Sequence, residues 1–267
     1  MFFKRDDSDS YLRKNIGADN NVCLILTATV DVCGIAFMDR SDPAIRLKDY
    51  ENSLEKWLTL GFAKKIVFIE NSGFDLTKLN RFVGLFAIKN ISIEFLSFRG
   101  QGFPRELGKG YGELMTLEYA VKHSVLLMQS DHFVKVNGRY FLGNNHTVLY
   151  SKNSRSSTHV MCDLSDNLAW ADSRVFGGAK HFLNSYLCPR LKEVNDASGV
   201  FFEHVMARAT HAAISDGWTW SPLPSPPEII GVYGSGDIRY SNNAFRRILK
   251  KVFHAWKTFA LKRRQPF

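Results

Sequence analysis

Two apolar stretches decide the fold: Val22-Cys23-Leu24-Ile25-Leu26-Thr27-Ala28-Thr29-Val30 and Lys65-Ile66-Val67-Phe68-Ile69-Glu70. Continuous apolar runs of this length are typical of strands that are buried on both faces of a sheet. Between them, residues 46–60 place apolar side chains at helical spacing. A strand, a helix and a second strand in this order predict a parallel α/β sheet.

The same alternation continues to residue 136 and then weakens. We predict helices at 76–86 and 108–123 and strands at 91–95 and 132–136. The second half is less regular, with short strands predicted at 148–150 and 159–162, helices at 178–187 and 200–213, and an irregular proline-rich loop at 217–227. The chain therefore divides into a polar arm (1–20), an α/β half (21–145), a less regular half of the same domain (146–240) and a terminal helix (241–267).

The positive charge is concentrated at one end of the chain. The formal net charge is +9, and the last 27 residues hold eight basic residues and no acid, which leaves about +1 for the rest. A nearly neutral body with a basic tail is not a uniformly basic nucleic-acid binder, and we expect no nucleic-acid partner. The hydrophobic content of 45% also excludes a disordered chain.

Targeting and metal-binding patterns are weak. No run approaches the roughly 20 apolar residues of a membrane span, and the first residues lack the apolar core of a secretory signal. The four cysteines form no Cys-x-x-Cys pair, which argues against a zinc site and a disulfide framework. We predict buried thiols at Cys23 and Cys162 and a reducing, cytoplasmic location.

Polar residues follow each predicted strand, at the edge of a parallel sheet where ligands bind. They include Thr27, Thr29, Asp31, Asn71, Ser72, Arg99, Asn137 and Arg139. The third strand leads to the helix start Gly108-Lys109-Gly110-Tyr111-Gly112-Glu113, whose backbone amides and nearby cations suit a phosphate. The alternative is that loops are simply solvated. Walker A, dinucleotide-binding and Gly-x-Ser-x-Gly motifs are absent.

Residues 22–240 resemble bacterial surface-polysaccharide glycosyltransferases with a GT-A-like fold. The resemblance rests on Leu26-Thr27-Ala28-Thr29, Arg46-Leu47-Lys48-Asp49-Tyr50, Ile66–Ser72, the Gly108–Glu113 helix start and Lys135-Val136-Asn137-Gly138-Arg139-Tyr140. Asp172-Ser173-Arg174-Val175-Phe176 and Phe202-Glu203-His204 resemble acceptor-side segments. The resemblance implies a nucleotide-sugar donor, bound by Thr27, Thr29, Asn71, Ser72, Lys109, Lys135, Asn137 and Arg139, and a glycan or lipid-linked acceptor.

The sequence departs from that family at the metal-binding motif. No Asp-x-Asp follows the fourth strand, where Asn137-Gly138-Arg139 stands instead. Arg139, with Lys109 or Lys135, would neutralise the leaving phosphate, so we expect neither a metal nor another cofactor. Strand alternation leaves open that Lys135 points away from the donor, and a monophosphate donor such as a CMP-sugar also remains open.

An inverting transferase needs a carboxylate that takes the proton of the acceptor hydroxyl. Of the acidic residues Asp31, Asp131, Asp172, Asp196 and Glu203, we rank Glu203 first and Asp172 second, although acids at helix starts also act as caps. Arg174, Trp218, Trp220 and Tyr233 are the predicted acceptor contacts, with core packing as the alternative for the aromatic residues.

The terminal segment predicts a basic amphipathic helix at 242–262. Phe245, Ile248, Leu249, Val252, Phe253 and Trp256 share one face, and basic residues fill the other. Such a helix suits an anionic membrane, although it could also pack on the core. The sequence thus favours a peripheral glycosyltransferase on the inner face of the cytoplasmic membrane. The competing classes are a noncatalytic nucleotide- or glycan-binding protein and a nucleic-acid binder that uses the tail.

Overall fold

The computed structural model describes residues 21–32, 40–61, 63–145 and 159–231. The predicted arm at 1–20, the strand at 148–150, Tyr233 and the terminal helix at 241–267 lie outside the described residues. In the described ranges, no helix is long and apolar enough to cross a bilayer.

A mixed sheet forms the centre of the described chain. Its seven strands lie in the order β3-β2-β1-β4-β7-β6-β8. The strands are β1 (Val22–Ala28), β2 (Lys65–Glu70), β3 (Ser92–Ser97), β4 (His132–Asn137), β6 (Val160–Met161), β7 (Val175–Ala179) and β8 (Trp220–Ser221), while β5 (Phe141–Leu142) and β9 (Ile229–Ile230) pair separately. The first four are mutually parallel, and β7 runs antiparallel to both β4 and β6.

Helices cover both faces of the sheet. They are α1 (Pro43–Leu60), α2 (Arg81–Ile88), α3 (Gly108–His123), α4 (Val125–Met128) and α5 (Phe202–Ser215). In β1, Leu24 and Leu26 join the core beneath α1 and α2, whereas Cys23 and Ile25 join the core beneath α3 and α5. Burial on both faces explains the unbroken apolar run of this strand. The predicted α/β sheet flanked by helices is therefore confirmed.

The predicted thiols are also confirmed as buried. Cys23 and Cys162 have no exposed surface. Burial raises the pKa of each thiol to about 12, so both are held in the unreactive neutral form.

The predicted helix at 178–187 is wrong at its beginning. Gly177 and Gly178 belong to β7; a Cβ atom on Gly177 would lie 2.6 Å from the Phe133 carbonyl oxygen of β4, and one on Gly178 would lie 2.2 Å from the His159 carbonyl oxygen just before β6. The glycines therefore permit close strand pairing rather than a helix start. The following segment is helical but changes geometry along its length, through Lys180–Phe182, Leu183–Leu187 and Cys188–Glu193.

The aromatic, proline-rich loop also contains regular structure, contrary to prediction. Trp220–Ser221 pairs in parallel with Val160–Met161, and the Cys162 backbone N–H donates to the Ser221 carbonyl at 3.1 Å. Both residues precede Pro222, so their own backbone donors are still available for pairing.

Glu70 fixes the geometry where β1 and β2 end. Its fully buried carboxylate accepts backbone N–H bonds from Val30 at 3.0 Å, Ser72 at 2.8 Å and Phe74 at 2.9 Å. The hydroxyls of Ser72 and Ser97 also donate to it. Because a buried carboxylate needs this many donors, the loops after the two strands are held in one arrangement.

Candidate active site

A cleft of about 550 Å³ opens at the carboxyl ends of β1, β2 and β4. Its sheet side consists of these strand ends and the start of α3, and its loop side consists of residues 163–174 and the start of α5. The lining on the sheet side includes Thr29, Arg46, Asn71, Lys109, Gly112, Glu113, Asn137 and Arg139; on the loop side it includes Asp163, Ser165, Trp170, Asp172, Ser173, Arg174 and Glu203. A smaller cavity beside it reaches Thr27.

A short hydrogen-bond chain joins the strand ends to α3. The Thr29 hydroxyl donates to Asn71 Oδ1 at 2.7 Å, and Asn71 Nδ2 donates to the Gly112 carbonyl at 3.1 Å. Thr29 and Asn71, both predicted donor contacts, are therefore brought together and oriented by their neighbours. Gly112 is buried, and a side chain there would press on Phe103 and approach Asn71.

Two arginines lie near each other on the sheet side. The buried Arg46 guanidinium donates to the Thr29 carbonyl at 2.8 and 2.6 Å, which fixes the first strand end. Burial lowers the pKa of Arg46, and the charge of Arg139 lowers it further. Tyr50 raises it, but not enough to offset these two effects. An anion between the two arginines would relieve this repulsion.

Arg139 lines the cleft and carries one unsatisfied donor. Its Nη1 atom is buried, and among the described residues no acceptor lies within hydrogen-bond distance of it. A buried guanidinium nitrogen without a partner is costly, so the arrangement favours an incoming acceptor such as a phosphate oxygen. Lys109 adds an exposed ammonium group to the same side.

Lys135 does not line the cleft but lies buried beneath it. Its Nζ contacts the Glu113 carboxylate and the Asn137 side-chain oxygen, and donates to the Ser173 carbonyl at 2.7 Å. All three donors are therefore used within the protein. Lys135 was predicted to contact the donor, but it lies beneath the cleft and supports its floor. Strand alternation allowed this placement.

Glu203 stands at the start of α5 and accepts a hydrogen bond from the Ser173 hydroxyl at 2.8 Å. Burial raises the pKa of Glu203, and the nearby charge of Glu113 adds to the increase. The Ser173 hydrogen bond and the charge of Lys135 offset part of it. A partly desolvated carboxylate of this kind is well suited to accept a proton.

Asp172 has a different environment from Glu203. Arg174 binds its carboxylate through Nε at 2.9 Å and through Nη2, as well as through the backbone N–H. Burial on its own raises the pKa of Asp172, but the hydrogen bonds and charge of Arg174 outweigh it, so the pKa is lowered. Asp172 is thus a weaker base than Glu203 and holds Arg174 at the edge of the cleft.

The glycine-rich start of α3 is not the open phosphate site that the sequence indicated. The Asp196 carboxylate packs against Gly108, where a Cβ atom would fall 1.9 Å from its Oδ2. Burial raises the pKa of Asp196, while the charge and backbone N–H of Lys109 lower it in part. The glycines therefore admit a carboxylate from the same chain to the helix end, while Lys109, Gly112 and Glu113 line the cleft.

Three other predicted contacts lie outside the cleft lining. The Ser72 hydroxyl contacts Glu70 and accepts the Asp31 N–H at 3.1 Å. Trp218 packs against His159, His181 and Tyr186, and the Trp220 indole donates to the Cys162 carbonyl at 3.0 Å. Sequence reasoning instead missed Trp170, which lines the cleft and was not distinguishable by spacing.

Three carboxylates around the cleft already have partners within the protein. Glu113 is paired with Lys135 and Asp172 with Arg174, while Asp163 accepts the Leu223 N–H at 3.0 Å. Across the described ranges, no group of three His, Cys, Asp or Glu side chains could hold a metal ion. The cationic side chains that line the sheet side of the cleft are Arg46, Lys109 and Arg139.

No protein-family model and no curated protein sequence matches the chain. Among solved structures, it is similar to a mannosyltransferase from Pyrobaculum calidifontis in complex with GDP-Man and Mn²⁺, with 11% identity, a TM-score of 0.48, and coverage of 93% of this chain and 69% of that one.

Two further neighbours have comparable values. A glycosyltransferase of Streptococcus pneumoniae TIGR4 is 8% identical, with a TM-score of 0.44 over 75% of this chain and 44% of that one. A cytidylyltransferase from Leptospira borgpetersenii is 11% identical, with a TM-score of 0.38 over 78% of this chain and 77% of that one. All three similarities are low in sequence identity and partial in structure.

Replacing Lys135 should destabilise the protein strongly. Lys135→Met leaves the Glu113 carboxylate and the Ser173 carbonyl without their shared donor, and we expect a loss of about 3 kcal/mol or more in the free energy of unfolding. Chemical denaturation measures it. The matched control is Lys122→Met, whose exposed pair with Glu118 should contribute about 0.5 kcal/mol or less. Equal small losses in the two variants would contradict the supporting role of Lys135.

Proposed function

We propose that the protein is a glycosyltransferase that moves a sugar from a nucleotide-sugar donor to a hydroxyl of a glycan or lipid-linked glycan during surface-polysaccharide synthesis. One observation carries the proposal. A single cleft is lined both by Arg139, whose Nη1 has no hydrogen-bond acceptor among the described residues, and by Glu203, whose pKa is raised. The first group suits a leaving phosphate, and the second suits a proton from an acceptor hydroxyl.

The sheet side would bind the donor. Thr29, Asn71 and Asn137 offer oriented polar groups at the strand ends, in the position where open α/β sheets bind nucleotides. Arg139 and Lys109 would neutralise the phosphates in the role that a metal ion fills in other transferases. Because these cations belong to the protein, the proposed reaction is independent of divalent metal.

The loop side would activate the acceptor. The acceptor oxygen forms a bond to the anomeric carbon of the sugar while the bond from that carbon to the phosphate oxygen breaks. The nucleotide phosphate leaves with the bonding electrons, and Glu203 takes the hydroxyl proton. Arg139 and Lys109 stabilise the charge that develops on the leaving phosphate, and Glu203 then returns its proton to water.

Arg139→Gln should weaken donor binding. Losing a charge-assisted hydrogen bond costs about 1.5–3 kcal/mol, which corresponds to a roughly 10- to 100-fold higher Kd. Calorimetric titration of UDP-, GDP- and CMP-sugars, with EDTA and separately with Mn²⁺, measures the effect.

The matched control for this titration is Arg81→Gln, which changes a half-exposed arginine that does not line the cleft and should leave the Kd unchanged. Binding that requires Mn²⁺ would contradict metal independence. If the wild-type protein bound none of these sugars or their nucleotides, the transferase proposal would fail.

Glu203→Gln should lower the transfer rate by about 10²- to 10⁴-fold, the usual contribution of a general base, without changing the donor Kd. Product formation by mass spectrometry measures the rate, and Glu55→Gln, an exposed residue of α1, is the control. Tight donor binding without transfer in the wild-type protein would favour the noncatalytic nucleotide-binding alternative.

The pH profile gives a second readout of the same role. A base must be deprotonated to act, so the rate rises with pH through the raised pKa of Glu203. Since the Ser173 hydrogen bond lowers that pKa, Ser173→Ala should move the acidic limb of the profile to higher pH. A limb that stayed in place would show that another group is titrating.

We also propose that the tail attaches the enzyme to an anionic membrane surface, where lipid-linked acceptors are found. Each basic residue near such a surface contributes about 1 kcal/mol. Deletion of residues 242–267 should therefore abolish co-sedimentation with phosphatidylglycerol vesicles and leave nucleotide binding intact. Neutral phosphatidylcholine vesicles are the control. Unchanged sedimentation would contradict membrane attachment, and strongly salt-dependent RNA binding lost with the tail would support the nucleic-acid alternative.

A further inference from the structure

An exposed cluster of aromatic rings lies where the loop side of the cleft meets α5. Trp170 and Phe201 are each 39% exposed, and their ring centroids are 6.0 Å apart. His204 contacts both, at 4.9 Å from Trp170 and 5.7 Å from Phe201. We call these three residues the aromatic platform. Trp170 also lines the cleft.

The loop that carries Trp170 is tied by its own hydrogen bonds. The Ser165 N–H donates to the Trp170 carbonyl at 2.8 Å, and the Trp170 N–H donates to the Ser165 hydroxyl at 3.1 Å. Leu164 and Ala171 form a β-bridge. Trp170 is therefore exposed on a loop that is already ordered. Ligand binding would lose little conformational entropy in this loop.

The same loop is attached to the helix that carries Glu203. The Ala171 N–H donates to the Glu203 carbonyl at 3.1 Å, and His211 Nε2 lies 2.8 Å from the Leu168 carbonyl. His204 directly follows Glu203 in the chain, and Phe201 lies two residues before it. These contacts fix the position of the platform relative to the start of α5, which carries Glu203.

The charges nearby indicate what can bind on the platform. Among the described residues that line the loop side, the carboxylates of Asp163, Asp172 and Glu203 outnumber the single guanidinium of Arg174. A phosphate would be repelled here, whereas the apolar face of a sugar ring packs well on an indole and its hydroxyls suit carboxylates.

We propose that the aromatic platform is the acceptor subsite, where a pyranose ring of a glycan stacks on Trp170 and directs a hydroxyl to Glu203. This inference rests on the proposed function for the role of Glu203. It replaces Trp218 and Trp220 with Trp170 as the tryptophan that contacts the acceptor.

The first test measures glycan binding without any nucleotide. The labelled wild-type protein is applied to a glycan array, and the glycans that bind are then titrated against each variant. Trp170→Ala should weaken this binding at least roughly tenfold, from the lost stacking and burial of the indole. Trp170→Phe should retain most of it because an aromatic face remains.

Two controls separate the platform from general damage. Leu168→Ala removes an exposed side chain of the same loop that does not line the cleft, and Trp218→Ala removes a tryptophan packed outside it. Both should keep wild-type glycan binding. Thermal melting verifies that each variant is folded.

The second test separates this inference from the proposed function. With a nucleotide-sugar donor, Trp170→Ala should raise the acceptor KM without changing the nucleotide Kd or the slow hydrolysis of the donor by water. A weaker nucleotide Kd with unchanged glycan binding would overturn the inference and assign the platform to the donor. Absence of glycan binding by the wild-type protein would also overturn it. Glycan binding through Trp170 without nucleotide binding would support the platform while rejecting the transferase.

Discussion

The two sides of the cleft depend on one buried charge. Lys135 extends from the central strand β4 and binds Glu113 of α3, Asn137 of its own strand and the Ser173 carbonyl of the loop side. A fully desolvated ammonium ion is tolerated only when all its donors are used. The same contacts that satisfy Lys135 position Ser173, whose hydroxyl donates to Glu203. The buried ammonium group therefore constrains both the packing of the cleft and the environment of the proposed base.

Charge is distributed unequally across the cleft as a result. The sheet side presents Arg46, Lys109 and Arg139, and the one carboxylate among its described lining residues, that of Glu113, is turned toward Lys135. The loop side presents carboxylates, one of which is neutralised by Arg174. A ligand that is anionic at one end and rich in hydroxyls at the other matches this gradient. Environment also separates Glu203 from Asp172: burial prevails at Glu203 and raises its pKa, whereas at Asp172 the hydrogen bonds and charge of Arg174 together outweigh burial and lower the pKa.

The sequence was informative where structure follows from local pattern. Doubly buried strands such as β1 are continuous apolar runs, and the residues after parallel strands must meet at one edge, which brought Thr29, Asn71 and Arg139 together. It was uninformative where distant segments decide. Asp196 reaches the start of α3 from far along the chain, and the contacts that make Trp170 face the cleft join residues that no periodicity relates.

The reversed direction of β7 has a consequence for how such a site can change. Because β6 and β7 are antiparallel, the chain leaves the sheet and returns to it at the same edge, and residues 163–174 form a closed excursion over the cleft. The loops after β1, β2 and β4 arise from different connections. An insertion or deletion among residues 164–171 would reshape the loop side of the cleft and leave the loops after β1, β2 and β4 unchanged, as long as Ser173 keeps its bond to Lys135. The sheet side and the loop side of the cleft are therefore built by chain segments whose lengths can vary separately.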